Sequence, residues 1–358
     1  MALSACATSD AGTGPGISAP TPAVRDPEAS ADRESPQAAT TPDGAESVTV
    51  GWTIPWAIGG ERIRRDGTRG NDPGEWPPFA VDAVRLWDTR TAWLNLEPRD
   101  DAWHWIELDA HVAMAEERGV EHVSLVLAGT PRWAALRETA DDAPWLGPGS
   151  AAPPSDPREW SEYVATVARR YSGRIDAYEI GNEPNLTTFW NGTPEQYADL
   201  VRRAAQEIHR ADSRATVVVN AGLIRRPSDV AELQRWLAPI AQDARLAEQV
   251  EVISLHFYPG RLAIDDARAL LGQATDTLDR LGLGAHPRWI TEANVRNGAG
   301  MTGPQQRRAI DTLTEDARQR GFSRLYWYAW TDLGPPDLIP FVPGSPAATE
   351  FTTPVATG

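Results

Sequence analysis

Lysine is absent from the 358 residues; all 34 basic residues are arginine, which reads as a coding preference rather than a chemical requirement. Cysteine occurs once, at Cys6, and one cysteine excludes an internal disulfide. No apolar run reaches the roughly 18 residues that a membrane-spanning helix needs. A basic stripe is missing too. With 50 acidic residues and a net charge of −16, the composition speaks against a nucleic-acid partner. No metal-ligand cluster or phosphate-cradling loop is visible, and the histidines His104, His111, His122, His209 and His286 are scattered. No metal or cofactor is therefore expected.

What is present fits an ordinary folded domain, 41% hydrophobic and 23% charged. Residues 7–46 are rich in Ala, Pro, Thr, Ser, Gly, Asp and Glu, with almost no large apolar side chain. Such a segment buries too little to offset its ordering entropy, so 1–46 is expected to be a disordered tether. The folded domain is expected at 47–345, with a tail at 346–358. Within it, eight short β-branched or apolar runs alternate with helical patterns: Val48–Ile54, Ala83–Trp87, His122–Leu127, Ile175–Ile180, Thr216–Asn220, Val250–Phe257, Arg288–Thr291 and Arg324–Trp330. Eight such units predict a single α/β domain, a closed (β/α)8 TIM barrel. Helix ends are legible as well. Thr193, Pro194 and Gln196 form a capping-box start, and Gly173 and Gly119 are helix stops. The long segment after the first strand, with Trp52, Trp56, Gly59, Gly60 and Gly70, is expected to make excursions over the barrel mouth.

In a parallel barrel the C-terminal strand ends carry the active site. Those ends supply Arg85, Trp87 and Asp88 after strand two, and Thr130, Pro131 and Trp133 after strand three. Strand four supplies Asn182 and Glu183, strand six His256 and Tyr258, strand seven Glu292, and strand eight Trp330 and Asp332. Glu183 and Glu292 are 292 − 183 = 109 residues apart, three units at roughly 35 residues each, and so share one rim. Glycosidic hydrolysis needs two carboxyl groups facing each other across one bond. The surrounding hydrogen-bonding and aromatic side chains suit a sugar, with its hydroxyls and apolar faces. Trp52, Trp56, Trp190 and Trp327 are candidate stacking platforms, whereas Trp103, Trp105, Trp160, Trp236 and Trp289 read as packing.

The run Tyr178-Glu179-Ile180-Gly181-Asn182-Glu183-Pro184-Asn185-Leu186, followed by Phe189-Trp190 and Tyr197, resembles the clan of retaining barrel glycoside hydrolases. Within it the run looks most like glycoside hydrolase family 39. Arg85-Leu86-Trp87-Asp88, Thr130-Pro131-Arg132-Trp133 and Ser254-Leu255-His256-Phe257-Tyr258 support that likeness, which spans about residues 47–335. Members usually carry Trp where this chain has Gly181. The short stretch after Asp332 resembles the endo-acting bacterial members rather than the xylosidases. The resemblance implies a retaining double displacement, with Glu292 as nucleophile and Glu183 as acid/base. Tyr258 and Arg85 would keep Glu292 ionised, and Asn182 would hold the 2-hydroxyl. His256 and Trp330 would line the adjacent subsite. Arg85, Trp87, Asp88, Trp133, Trp190 and Trp327 complete the expected substrate-binding set.

Leu3-Ser4-Ala5-Cys6 resembles the lipobox of bacterial lipoproteins, which implies lipidation at Cys6 and a place on the outer face of the cell envelope, the alternative being a secreted protein. The partner expected is a poly- or oligosaccharide, the membrane being touched only through that lipid, and the chain is expected to be a monomer. The rival readings are a non-catalytic sugar-binding lipoprotein and an exo-acting, xylosidase-like β-glycosidase.

Overall fold

The structure, a computed structural model, describes residues 48–330 apart from 56, 58–59, 64–68, 73–75, 139–141, 144, 261 and 295–302. Cys6, the 1–46 segment, Trp56, Asp332 and the 346–358 tail, on which expectations were placed, lie outside the described residues. Eight strands close a parallel barrel: β1 (Thr49–Trp52), β4 (Ala83–Leu86), β5 (His122–Leu127), β6 (Ala177–Ile180), β7 (Thr216–Ile224), β8 (Val252–Phe257), β9 (Arg288–Ala293) and β10 (Phe322–Trp327). β1 pairs with both β4 and β10, which seals the ring. All eight expected runs are strands. The segment after β1 holds a small antiparallel pair, β2 (Gly60–Ile63) and β3 (Arg69–Asp72).

Helices α1 (Trp93–Leu96), α2 (Ile106–Glu117), α3 (Pro157–Arg170), α4 (Pro194–Ala211), α5 (Pro227–Ala241), α6 (Ala244–Ala247), α7 (Ile264–Arg280) and α8 (Gly303–Gln319) fill the connections. The sequence dictates the ends of α4. Thr193 Oγ1 accepts from the Gln196 amide at 3.2 Å, the Gln196 side chain accepts from the Thr193 amide at 2.9 Å, and Pro194 opens the first turn. Tyr197, Leu200, Val201, Ala204 and Ile208 of α4 are buried, as their spacing requires. Tyr197 also ties α4 to the sheet. Its hydroxyl lies 2.7 Å from the Ile180 carbonyl and 2.8 Å from that of Asn220, holding the ends of β6 and β7 together.

The barrel interior is layered. Ala83, Ala177, Val218, Val252, Trp289 and Tyr326 form an apolar cluster separate from the core that lies between sheet and helices. At the N-terminal end Arg324 lies 4.2 Å over the Trp289 ring and donates to Asp176 at 3.1 Å. One strand step toward the C-terminal rim stand Arg85, Glu179, Asn220, Ser254 and Thr291, every one of them fully buried. Strand alternation sends residues two apart into the same interior, so a polar layer sits on an apolar one.

Close approach fixes Gly51. A Cβ there would come within 2.5 Å of the Tyr326 ring and 2.9 Å of the Ala83 Cβ. We expect Gly51→Ala to lower unfolding stability by about 1–3 kcal/mol, the usual cost of overpacking. The check is a drop in the urea midpoint at unchanged slope; an unshifted midpoint would show that Tyr326 yields freely.

Candidate active site

Two backbone irregularities bring the acidic side chains together. At the end of β6 the chain turns through Gly181, with φ 75°, and Glu183, with φ 44°. A side chain at Gly181 would meet Tyr197 at 2.8 Å, so that position favours glycine on two counts. Asn185 then pins the loop, accepting from the Leu223 amide at 2.9 Å and donating to the Leu223 carbonyl at 3.0 Å. The second irregularity is a register shift between β8 and β9 at Leu255/His256. Neighbouring residues of a regular strand face opposite sides; here Thr291 and Glu292 both reach inward, Thr291 to Glu179 and Glu292 to Arg85.

Arg85 is the hub. Its Nε donates to Glu179 at 2.6 Å, one terminal nitrogen to Glu292 at 2.6 Å, and the other to Asn182 at 3.1 Å, 3.3 Å from His256 Nε2. Burial works against its charge, yet the two carboxylates outweigh that and hold it firmly protonated. Glu179 Oε1 accepts from Ser254 and Thr291 at 2.6 Å and from Asn220 at 2.8 Å. Burial alone would raise its pKa; Arg85 and these donors bring the net shift below the ordinary carboxylate range.

Glu183 and Glu292 occupy different surroundings. Glu183 Oε1 lies 2.8 Å from His256 Nδ1. Burial lifts its pKa to about 7, against the charges of Arg85 and Arg225 and with some help from Glu179. Burial raises Glu292 as well, but His256, Arg85 and the Tyr258 hydroxyl, at 2.8 Å, pull against it. A direct bond to a permanent cation favours the anion far more than one to a neutral ring, so Glu292 ionises before Glu183. A carboxylate oxygen of each glutamate and a ring nitrogen of His256 lie within 4.8 Å of one another. Those three residue types could ligate a metal ion, but the Arg85 charge bonded to Glu292 and beside the ring opposes a second cation there.

Of the residues singled out from the sequence, Arg85, Asn182, Glu183, His256, Tyr258 and Glu292 converge. Asp88 lies half-buried beside them with φ 57°, its carboxylate accepting from the Tyr328 hydroxyl at 2.6 Å. Trp87 stands at the strand end, edge-on to Phe189. The remaining tryptophans are placed differently. Trp327 has no exposed surface, and Trp330 packs edge-on against Trp52 and Phe79. Trp190 packs on Tyr197, and Trp133 stands edge-on to Trp93 and donates to the Glu97 carbonyl. His256 is fully buried beneath the glutamates rather than lining a subsite. The reason is common to most of these side chains: Trp190, Trp327, Trp330 and His256 find neighbours that remove them from solvent, while Trp133 stays partly exposed. The sequence reading missed Glu179, Asn220, Ser254, Thr291 and Tyr328. Stepping two residues along each strand from the apolar interior layer would have found the first four.

No protein-family model matches the chain. It is 30% identical over 125 residues to a β-xylosidase of Caldicellulosiruptor saccharolyticus, which is 32% of this chain; the match spans about a quarter, 24%, of that relative. Among solved structures it resembles a family 39 glycoside hydrolase from the gut symbiont Bacteroides cellulosilyticus WH2, with TM-score 0.53 and 13% identity. That likeness covers 81% of this chain and 58% of the other. It resembles the GH10 from Paenibacillus barcinonensis to the same degree, with TM-score 0.52 and 12% identity over 82% of this chain and 86% of the other. These likenesses establish the barrel fold and do not single out family 39.

A group whose folded pKa lies above its unfolded value stabilises most at low pH and loses that contribution as pH rises through the folded value. For Glu183, 4.5 in the unfolded chain and about 7 folded, the loss falls between those values and amounts to about 3 kcal/mol. Glu183→Gln should therefore become more stable than the wild type as pH climbs from 5 to 8, read by thermal melts across that range. A constant difference would mean that Glu183 ionises normally.

Proposed function

We propose that the protein hydrolyses β-glycosidic bonds with retention of configuration, in the manner of clan-A glycoside hydrolases. The observation that carries this reading is the pair Glu183 and Glu292, with carboxylate oxygens within 4.8 Å and opposite partners on a barrel rim. Retaining enzymes hold their carboxyls about 5–5.5 Å apart, whereas inverting ones leave about 6.5–9.5 Å for a water. Glu292, ionised, attacks the anomeric carbon; the bond to the leaving oxygen breaks and its electron pair takes the proton of Glu183. A water then gives its proton to Glu183 and its oxygen to the anomeric carbon, releasing Glu292. Burial of Glu183 supports its role as the acid, and the Arg85 and Tyr258 bonds to Glu292 support its role as nucleophile.

The substrate we infer is a poly- or oligosaccharide cut internally. An aromatic row supports this. Trp87 at the end of β4 is 6.0 Å from Phe189 in the Glu183 loop, which is 6.1 Å from Trp145, 66% exposed. The exposed Trp145 and the partly exposed Phe189 suit the apolar faces of sugar units, with Trp87 buried behind them. The β-xylosidase relative favours the exo-acting, xylosidase-like alternative. The lipobox-like Leu3-Ser4-Ala5-Cys6 supports a lipid-anchored enzyme on the outer face of the envelope.

A 2-deoxy-2-fluoro glycoside bearing a good leaving group should label Glu292, seen as one added glycosyl mass on the peptide that contains it. Glu292→Ala should abolish turnover, with azide restoring it as the α-configured product. A wild-type protein that binds sugar without forming the adduct would be a lectin-like binder. For internal cutting, Trp145→Ala should lower selectivity for a long oligosaccharide over an aryl monoglycoside about 2- to 10-fold, the worth of one aromatic contact. Unaltered selectivity favours the exo-acting reading.

A further inference from the structure

His256 has neighbours on both ring nitrogens, and the chemistry of those neighbours decides where its proton is. Nε2 lies 2.9 Å from Asn220 Nδ2 and 3.3 Å from a terminal nitrogen of Arg85. A guanidinium can only donate. The Asn220 amide is oriented from two sides: its Oδ1 accepts from the Gly222 amide at 2.9 Å, and its Nδ2 donates to the Glu179 carboxylate at 2.8 Å. Nε2 thus faces two donors and must be the bare, accepting nitrogen. Nδ1 lies 2.8 Å from Glu183 Oε1 and 3.5 Å from Glu292 Oε2, both oxygens of carboxyl groups.

We propose that Asn220, with Arg85, locks His256 as its Nδ1–H tautomer, which places the transferable proton of Glu183 on Oε2. Oε1 accepts the Nδ1–H bond, and protonating Oε1 would weaken it as an acceptor, which favours the proton on Oε2. Oε2 makes no hydrogen bond among the described residues and is left for the leaving-group oxygen. The ring stays neutral because burial pushes its pKa down to about 4, although Glu292 and Glu179 favour its charge. Asn220 is in this account a positioning residue: it sits on β7, touches no reacting atom, and acts on Glu183 through the ring. The same tautomer withdraws the trio of Glu183, His256 and Glu292 from metal binding, since a cation would need Nδ1 bare. The assignment of the proton to catalysis rests on the glycosidase reading; the tautomer does not.

Two measurements on the full chain test this. The first is the imidazole nitrogen spectrum of protein labelled with ¹⁵N-histidine, the His256 signals being identified by their loss in His256→Asn. At neutral pH we expect a protonated Nδ1 and a bare Nε2 for His256. Nε2–H, or a charged ring, overturns the proposal whatever the activity. The second compares glycosides of good and poor leaving groups, dinitrophenyl against alkyl. A poor leaving group needs the acid; a good one hardly does. Asn220→Ala should raise the dinitrophenyl-to-alkyl ratio of kcat/KM roughly tenfold or more and bring an Nε2–H population into the spectrum. An equal fall on both substrates with an unchanged tautomer would make Asn220 merely structural and sink the idea. If Asn220→Ala fails to fold, the wild-type spectrum still decides. Failure of the wild type to cleave any glycoside would refute the glycosidase reading and leave the tautomer result standing.

Discussion

The fully buried Arg85 guanidinium is the constraint on which the rest of this rim depends. It bonds to carboxylates on β6 and β9 and to Asn182, and it faces His256 on β8, so one side chain from β4 ties opposite sides of the barrel together. Replacing it with an apolar residue would leave Glu179 and Glu292 without a cation in a dry interior. Breaking a buried pair from one side costs about 3–5 kcal/mol, because the other charge stays desolvated. The group also sets the charge of the site. With Glu179 and Glu292 bonded to it, the guanidinium is not free to pair with a third carboxyl, whose burial outweighs the pull of Arg85 and Arg225. That third carboxyl is Glu183, held by a neutral ring in a site that already resists charge by burial.

The difference between the two glutamates follows from where each stands on its strand. Glu183 sits past the end of β6, on a turn with left-handed backbone, and among the described residues its carboxyl is hydrogen-bonded to the His256 ring alone. Glu292 sits inside β9, carried inward by the register shift, where the guanidinium and the Tyr258 hydroxyl can both reach it. Identical side chains thus acquire unlike proton affinities through backbone geometry alone. Without the shift, period-two alternation would send Glu292 to the outer face and Thr291 alone into the barrel.

Much of this was legible in the sequence, and the parts that were not have physical reasons. The eight strands showed as short apolar runs separated by helical stripes, and the start of α4 announced itself through Thr193, Pro194 and Gln196. Glu183 and Glu292 were readable because each closes an apolar run with a charge, at a spacing of three units. Glu179 and Asn220 were not, since a single polar residue inside an apolar run looks like any interruption until the barrel closes and shows four others at its level. The tail of β9 was lost for a related reason: a register shift leaves no mark on one strand alone. The tryptophans misled because they serve packing and stacking with the same surface. Trp327 and Trp330 went to the core, while Trp145, which no motif or spacing marks out, stayed exposed.

The conditions that make this rim suited to chemistry also make it costly to fold. A non-glycine residue in the left-handed region, as at Glu183, carries strain of about 1–3 kcal/mol. A buried carboxyl with pKa near 7 adds a further cost whenever it ionises. A folded rim therefore requires compensation nearby, and the polar layer beneath supplies it. Glu179 has hydrogen bonds to both carboxylate oxygens, the Asn220 amide is held at both ends, and Asn185 splints the turn to β7. These groups surround Glu183 and Glu292 with partners whose own demands are met. The carboxyl raised to about 7 thus stands on a rim whose other left-handed residue, Asp88, is itself held by the Tyr328 hydroxyl.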